Sequence, residues 1–435
     1  MNNLLDYKKP TRPIKVLQFG EGGFLRGFID WMIQKMNDKD VFNGNIVVVQ
    51  PIEKGLCELL DSQNGLYTHI IRGAEGTDTT LVDSISHCVN PYDDFEKYLS
   101  LADNEELRFI VSNTTEAGIR FDESDKIDTP VPTTFPAKLT RFMLRRFKKG
   151  LKGFIFLPCE LIDKNGITLK ETVLKYADLW NLNEEFKAWV KDDNVFCNTL
   201  VDRINTGFPV DEKIDLPYED KMLNTSEFFH LFVVETDYDI ERELPFSKAD
   251  LNVIVTKDAL ERYRTRKVRI LNGAHTSIVT YALLSGLETV KDCMDNKEVK
   301  DFLYRCLFDE IIPTLDLPES ELKEYAESVL VRFSNPYIKH YLSSIVLNSV
   351  SKFSVRVLPS IKEYIKRYNK IPENLVFGFS KIIEFYKTGT PNDSPDVIEK
   401  VKNGSLDAIL SDTALWGEDL SYLKEALINA NPRLR

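Results

Sequence analysis

Residues 14–36 read IKVLQFGEGGFLRGFIDWMIQKM. The opening IKVLQF is apolar enough to form a strand buried on both faces. It runs into Gly20-Glu21-Gly22-Gly23-Phe24-Leu25-Arg26, and the stretch FIDWMIQKM, of helical period, follows at once. Glycines at a strand-to-helix turn let the backbone approach a phosphate closely, and the free N–H groups at the helix start can bind it. Strand, glycine turn and helix in this order are the context of a dinucleotide-binding turn. Gly20, Glu21, Gly22, Gly23, Phe24 and Arg26 are therefore candidate cofactor contacts. The match is partial, because Leu25 stands where the third glycine of the fingerprint belongs, and a tight turn without a ligand is the competing reading.

The strand signature recurs outward from this point, in NIVVVQP (45–51), RFIVSNTT (108–115), GFIFLPC (153–159) and VFCNTLVDRI (195–204), with helical stretches between many of them. Such alternation predicts an α/β, Rossmann-like N-terminal domain with a mostly parallel sheet. The later runs EFFHLFVVE and LNVIVTK are expected to extend that sheet. After Lys257 the apolar residues fall at three- and four-residue spacing, which predicts an all-α C-terminal domain punctuated by Pro313, Pro318, Pro336 and Pro359. The expected division is 1–257 and 258–435, with the two halves packed closely around the active site.

The second strand ends in Gln50-Pro51, near the place where a ribose-binding acid usually sits, and the nearest acid is Glu53. Glu53 reads equally as a ribose contact or a solvated loop acid. No arginine stands there for a 2′-phosphate, so the expected cofactor is NAD rather than NADP. The run 108–115 leads into Ser112-Asn113-Thr114-Thr115-Glu116. Asn113, Thr115 and Glu116 suit the crevice at a strand's carboxyl end, and the same string also reads as a capped helix start.

Composition narrows the classes further. The 435 residues carry 68 acids against 56 bases, for a net charge of -12, which argues against a nucleic-acid partner and requires local positive charge if the substrate is anionic. No apolar run reaches the roughly 20 residues of a membrane helix, and the N-terminal stretch has no signal-peptide core, so a soluble cytoplasmic protein is expected. The six cysteines and five histidines are scattered without ligand spacing, and no metal is expected. The oligomeric state is left open.

The stretch with most chemistry is Lys267-Val268-Arg269-Ile270-Leu271-Asn272-Gly273-Ala274-His275. Reducing a ketone without a metal takes a proton donor for the developing alkoxide, a hydrogen-bond donor to that oxygen and a group that orients the substrate. Lys, Asn and His can fill these roles. On a continuous α-helix Asn272 and His275 share a face, while Lys267, five before Asn272, points elsewhere. Lys267 is therefore expected at or before the helix start. Alone, Lys267 also reads as part of a solvated basic run with Arg262, Arg264, Arg266 and Arg269.

The pattern K-x4-N-x2-H resembles the signature of the long-chain mannitol dehydrogenase family, and the resemblance extends over most of the chain through QFGEGGFLRGFIDW, VVVQPIE, SNTTEAGI, PAKLTR, PCELIDKNG, NTLVDRINTG and RFSNPYIKHYLSSIVLN. It is strongest to a branch acting on sugar acids. The resemblance implies that Lys267 is the general acid/base, that Asn272 holds the oxyanion and that His275 bonds the substrate. It also places Glu160, Asp202 and Lys352 at the substrate. Leu161 replaces a second oxyanion-site asparagine and Ser344 replaces a family arginine, so the sugar-end contacts differ here. Lys352, Arg356 and the arginines around Lys267 are the cations available to a small sugar-acid substrate. The second reading of Asp202 is an ion pair with Arg203. Two rival classes remain: a short-chain-type Y-x-x-x-K pair, Tyr263 with Lys267, and a dinucleotide-binding protein without chemistry.

Overall fold

The computed structural model describes residues 3–115, 117–210 and 212–435. The strands are β1 (Ile14–Phe19), β2 (Asn45–Val49), β3 (Tyr67–Gly73), β4 (Gly76–Val82), β5 (Ile85–Val89), β6 (Phe109–Ser112) and β7 (Ile155–Pro158). They continue with β8 (Val195–Phe196), β9 (Asn198–Asp202), β10 (Asn205–Gly207), β11 (Asn224–Ser226), β12 (Leu231–Glu235) and β13 (Val253–Thr256). The chain divides into two compact units, one ending at Leu260 and one spanning Glu261–Arg435.

In the first unit six strands pair in the order β5-β2-β1-β6-β7-β8, every pair parallel. With the β3–β4 hairpin set aside as an excursion, this is the 3-2-1-4-5-6 order of a doubly wound dinucleotide-binding sheet. Alternate residues of β1 and β2 feed opposite cores. Val16, Ile46 and Val48 pack with the helix Ile29–Asp38 on one face, and Leu17, Phe19, Val47 and Val49 pack with Phe135–Lys148 and Asn165–Leu179 on the other. Burial on both faces is why these strands read as unbroken apolar runs.

The later strands do not extend this sheet, contrary to expectation. The run VFCNTLVDRI splits at Cys197: β8 closes the parallel sheet, and β9 starts a separate mixed sheet of order β13-β12-β9. The switch is pinned at one helix start. Asn165 Nδ2 donates to the carbonyls of Pro158 (2.9 Å), Glu160 (3.1 Å) and Thr199 (3.2 Å), and a Cβ at Gly166 would collide with the Cys197 carbonyl. A third sheet, β10-β11-β3-β4, is built from segments with no clear apolar alternation.

The second unit is helical. Its central helix, Gly273–Leu284, is buried at nearly every position up to Ala282 and packs against Glu373–Thr388, Ser349–Arg356 and Lys297–Tyr304. A helix enclosed all round has little amphipathic signal, in keeping with its continuous apolar and small-residue sequence. No helix among the described residues is long and apolar enough to cross a membrane.

Candidate active site

The glycine turn lies where the strand order of the parallel sheet reverses, between the carboxyl ends of β1 and β6. Gly20 adopts φ +117°, donates to the Val49 carbonyl at 3.0 Å, and a Cβ there would sit 3.1 Å from the Asn113 carbonyl oxygen. Only glycine fits that position comfortably. A short helical turn, Gly23–Arg26, comes next, and Gly27 and Phe28 separate it from the helix Ile29–Asp38, so the helix does not follow the strand at once. The break allows close packing: Asn205 and Asn224 occupy the space a Cβ on Gly27 would need.

The carbonyls of this turn are held from behind. Arg26 donates to the carbonyls of Glu21 and Met222, and the Tyr67 hydroxyl donates to the Arg26 carbonyl at 2.6 Å. Asn224 Nδ2 donates to the Gly23 carbonyl at 3.0 Å, and Arg203 to the Gly27 carbonyl at 2.8 Å. Arg26 is thus a buried brace for the turn. The N–H groups of Gly22, Gly23, Phe24 and Leu25 make no hydrogen bond to any described residue. A Cβ on Gly22 would meet nothing within 4 Å. Free donors over open space, on a turn fixed from the other side, fit a pyrophosphate. The Glu21 carboxylate accepts from the Leu56 N–H at 3.1 Å, and burial raises its pKa.

At the neighbouring strand end, Asn113 donates to the Phe19 carbonyl at 3.0 Å, and Thr115 is exposed with φ +74°. A β-branched residue in that region is strained, at a cost on the order of 1–3 kcal/mol. Glu116 lies outside the described residues. Glu160, at the end of β7, is buried and accepts from Ser112 Oγ (3.0 Å), Thr114 N (2.9 Å) and Thr114 Oγ1 (2.9 Å). Burial raises its pKa against these bonds. In this structure Glu160 organises the β6 strand end. Asp202 is buried at the end of β9. Its neighbour Arg203 donates to the carbonyls of Glu227 and Gly27 and lies 4.3 Å from the Trp31 ring centroid, and burial pushes its pKa down to about 9. Glu53 lines a cavity of about 610 Å³ beside Gln50, whose side chain donates to the Glu53 carbonyl at 3.0 Å.

In the second unit the expectation for Lys267 is overturned. Lys267 is not at a helix start. Leu260–Arg266, Lys267–Asn272 and Gly273–Leu284 form one helical run whose middle segment is a wide π-turn, with the Gly273 N–H shared between the Ile270 carbonyl and the Val268 carbonyl five residues back. In i→i+5 bonding, residues five apart take the same side, as residues four apart do in an α-helix. Lys267 and Asn272 are thereby brought into register, and His275 follows three residues on. Gly273 permits the close approach of the Arg356 carbonyl, 3.3 Å from where its Cβ would stand.

His275 is buried, its ring stacked on Phe333 at 4.2 Å and edge-on to His340 at 4.9 Å, and its Nε2 has no hydrogen-bond partner among the described residues. Burial pushes its pKa well below the ordinary value, reinforced by His340, Arg332, Arg356 and Lys352. Lys352 and Arg356 lie four apart on the helix Ser349–Arg356, on one face. Lys352 Nζ donates to the Ile345 carbonyl at 2.7 Å. Arg356 makes no hydrogen bond or ion pair with any described residue, and burial lowers its pKa. Arg332 and His340 belong to this cluster, although the sequence assigned neither of them a role. Their signal, RFSNPYIKHY, lies almost sixty residues from His275.

Three of the four arginines around Lys267, which the sequence offered as candidate substrate cations, are engaged by side chains of the second unit. Arg266 pairs with Glu321 at 2.5 Å and lies over the rings of Tyr263 and Tyr325; Arg264 pairs with Glu261 at 3.7 Å; Arg269 faces Ser360 and Thr314. Among the described residues no three His, Cys, Asp or Glu side chains gather as metal ligands would.

Known proteins share this architecture. The mannitol dehydrogenase Rossmann domain model matches residues 14–247, and the mannitol dehydrogenase C-terminal domain model matches residues 259–424. Altronate oxidoreductase of Bacillus subtilis is 46% identical over 434 residues, covering 94% of this chain and 90% of the relative. The protein of that name from Bacteroides thetaiotaomicron is 41% identical, covering 95% and 92%. A substrate-free D-sorbitol dehydrogenase structure superposes with TM-score 0.82 at 22% identity, covering 96% of this chain and 92% of that one. Pseudomonas fluorescens mannitol 2-dehydrogenase, in a ternary complex with NAD and D-mannitol, superposes with TM-score 0.75 at 21% identity, covering 98% and 92%.

His275 should stay neutral as the pH falls. In the NMR spectrum of the histidine-labelled protein, assigned with a His275→Asn variant, its ring should remain unprotonated well below the free imidazole value near 6.5. The unfolded chain takes up that proton, so the site costs folding stability below about pH 6.5. Titration of His275 in step with a free imidazole would show that the ring is not desolvated as described.

Proposed function

Since the chain belongs to the mannitol dehydrogenase family, whose members act as dehydrogenases, we propose that it interconverts D-tagaturonate and D-altronate with NAD as the cofactor. The observation that carries the sugar-acid reading is Arg356. A half-buried guanidinium without a partner among the described residues, beside Lys352 and the neutral His275, is suited to a carboxylate supplied by the substrate. A neutral hexitol would leave that charge unpaired. The curated relatives named altronate oxidoreductase support the same reading.

The preference for NAD rests on the cavity at the carboxyl ends of β2 and β5. Its lining carries Glu53, Glu58, Asp61, Asp93 and Asp94 against Lys54 and Lys97, and no arginine. Five carboxylates against two ammonium groups repel a 2′-phosphate, whereas the 2′-hydroxyl of NAD can donate to a carboxylate such as Glu53. Gly22, Gly23 and Phe24 offer their N–H groups to the pyrophosphate, and Asn113 and Thr115 border the crevice beside them. The bound nicotinamide supplies or accepts the hydride.

The remaining chemistry belongs to residues of the second unit. Lys267 delivers a proton to the carbonyl oxygen during reduction and removes it during oxidation. Asn272, in register with Lys267, donates a hydrogen bond to that oxygen as charge develops on it. His275 is neutral, so its buried Nε2 can bond a substrate hydroxyl without adding charge. Lys352 and Arg356 orient the carboxylate end, while Glu160 and Asp202 stand at the carboxyl ends of β7 and β9 as candidate contacts to sugar hydroxyls.

Two outcomes test this reading. Gly22→Val should fold normally, since its space is open, yet bind NADH at least about tenfold more weakly in a fluorescence titration, because the side chain takes the pyrophosphate's place. Unchanged affinity would move the cofactor elsewhere. In a turnover screen, kcat/KM for altronate should exceed that for mannitol by at least about 10³, the scale expected when a buried polar group loses its partner. Arg356→Gln should narrow that gap at least about tenfold by slowing altronate alone. Equal rates on the two substrates would restore a neutral-ketose reading, and faster turnover of fructuronate than of tagaturonate would shift the assignment to that sugar acid.

A further inference from the structure

Arg269 lies in the wide turn, two residues beyond Lys267, and positions two apart face opposite sides of a helix. Its guanidinium is held by neutral groups: Nε donates to Ser360 Oγ at 2.6 Å and Nη2 to Thr314 Oγ1 at 3.0 Å, while the Thr314 hydroxyl donates a hydrogen bond to the Ile311 carbonyl at 2.7 Å. Ser360 and Thr314 are both buried. Nη1 has no partner among the described residues. Burial lowers the pKa to about 10, with Arg367 adding to the effect and Glu363 opposing it.

Arg269 opens onto a cavity of about 680 Å³ within the second unit. Every acid in its lining is already engaged: Glu418 with Lys362 (2.6 Å), Glu363 with Lys366 (3.3 Å) and Arg367 (2.8 Å), Asp316 with Arg367 (2.7 Å), and Glu261 with Arg264 (3.7 Å). Arg262 and Arg269 are the lining cations left without an acid among the described residues. Leu358, Pro359 and Trp416 supply an apolar wall.

We propose that this cavity is a second ligand site, taking a small organic oxyanion, a carboxylate or a phosphate monoester, whose charged end pairs with Arg269 and whose body lies along Trp416 and Leu358. A planar guanidinium with free donors matches either oxyanion in a two-pronged arrangement. The site backs directly onto the turn that carries Lys267, so occupancy changes turnover. This second half rests on the catalytic reading of Lys267; the binding half does not.

The test uses phenyl phosphate and benzoate, titrated calorimetrically into wild type, Arg269→Gln, Arg356→Gln and Ser354→Tyr. Ser354→Tyr fills the cavity while leaving Arg269 in place, and it decides the matter if Arg269→Gln fails to fold. At least one probe should bind wild type and Arg356→Gln alike, in the millimolar range or tighter, and bind Arg269→Gln and Ser354→Tyr at least about tenfold more weakly. The better probe tells carboxylate from phosphate. It should also alter kcat at saturating substrate in wild type and not in Arg269→Gln. Absence of binding, binding unaffected by both cavity variants, or loss in Arg356→Gln instead would overturn the site. A bound probe that leaves kcat unaltered would overturn the coupling, and loss of altronate specificity with probe binding intact would count only against the sugar-acid reading.

Discussion

The sharing of the Gly273 N–H between the Val268 carbonyl, five residues back, and the Ile270 carbonyl is the constraint on which the chemistry proposed for the second unit depends. It widens one turn inside a helix that runs from Leu260 to Leu284. Such a turn is rare because it gives up regular α-helical bonding, and it persists only where its surroundings hold it. Here they do so on three sides. Arg266 is tied to Glu321 just before the turn, Arg269 is tied to Ser360 and Thr314 within it, and the Arg356 carbonyl presses on Gly273 just after it. The result places a lysine and an asparagine five residues apart on one side of the helix, followed by the histidine.

The first unit solves a related problem with sheet. A pyrophosphate-binding turn must leave its N–H groups unbonded without losing its shape, so its carbonyls have to be held from behind. Asn224, Arg203, Tyr67 and Arg26 do this, from strands and loops outside the parallel sheet. The two small sheets that carry Asn224 and lead into Arg203 thus hold the glycine turn in shape, although they never join the main sheet. Gly27 makes the arrangement possible by leaving room for Asn205 and Asn224.

Much of this was legible in the residues. Strands buried on both faces announce themselves as apolar runs, and β1, β2, β6 and β7 did so. The hairpin β3–β4 did not, because β3 buries His69 and Arg72 among its apolar residues and β4 exposes most of its length. The departure of β9 from the parallel sheet was hidden because VFCNTLVDRI is a single β-rich string, broken only by the packing of Gly166 against Cys197. The wide turn left no mark on the apolar periodicity. Its one trace was the five-residue interval between Lys267 and Asn272, which misfits an α-helix and fits i→i+5 bonding. The cation cluster around His275 depends on residues brought together by helix packing, so the sequence offered Lys352 and Arg356 as cations but gave no sign that Arg332 and His340 join them.

Lys267, presented by the widened turn, is the group proposed to move the proton. Its most direct test is turnover of altronate by Lys267→Ala at saturating substrate, with NADH binding measured alongside and small primary amines added as proton carriers. The expected result is a fall in kcat of at least about 100-fold, unchanged NADH affinity, and partial recovery with amine, since a general acid/base contributes on that scale. Turnover near the wild-type rate in a folded Lys267→Ala protein would contradict it.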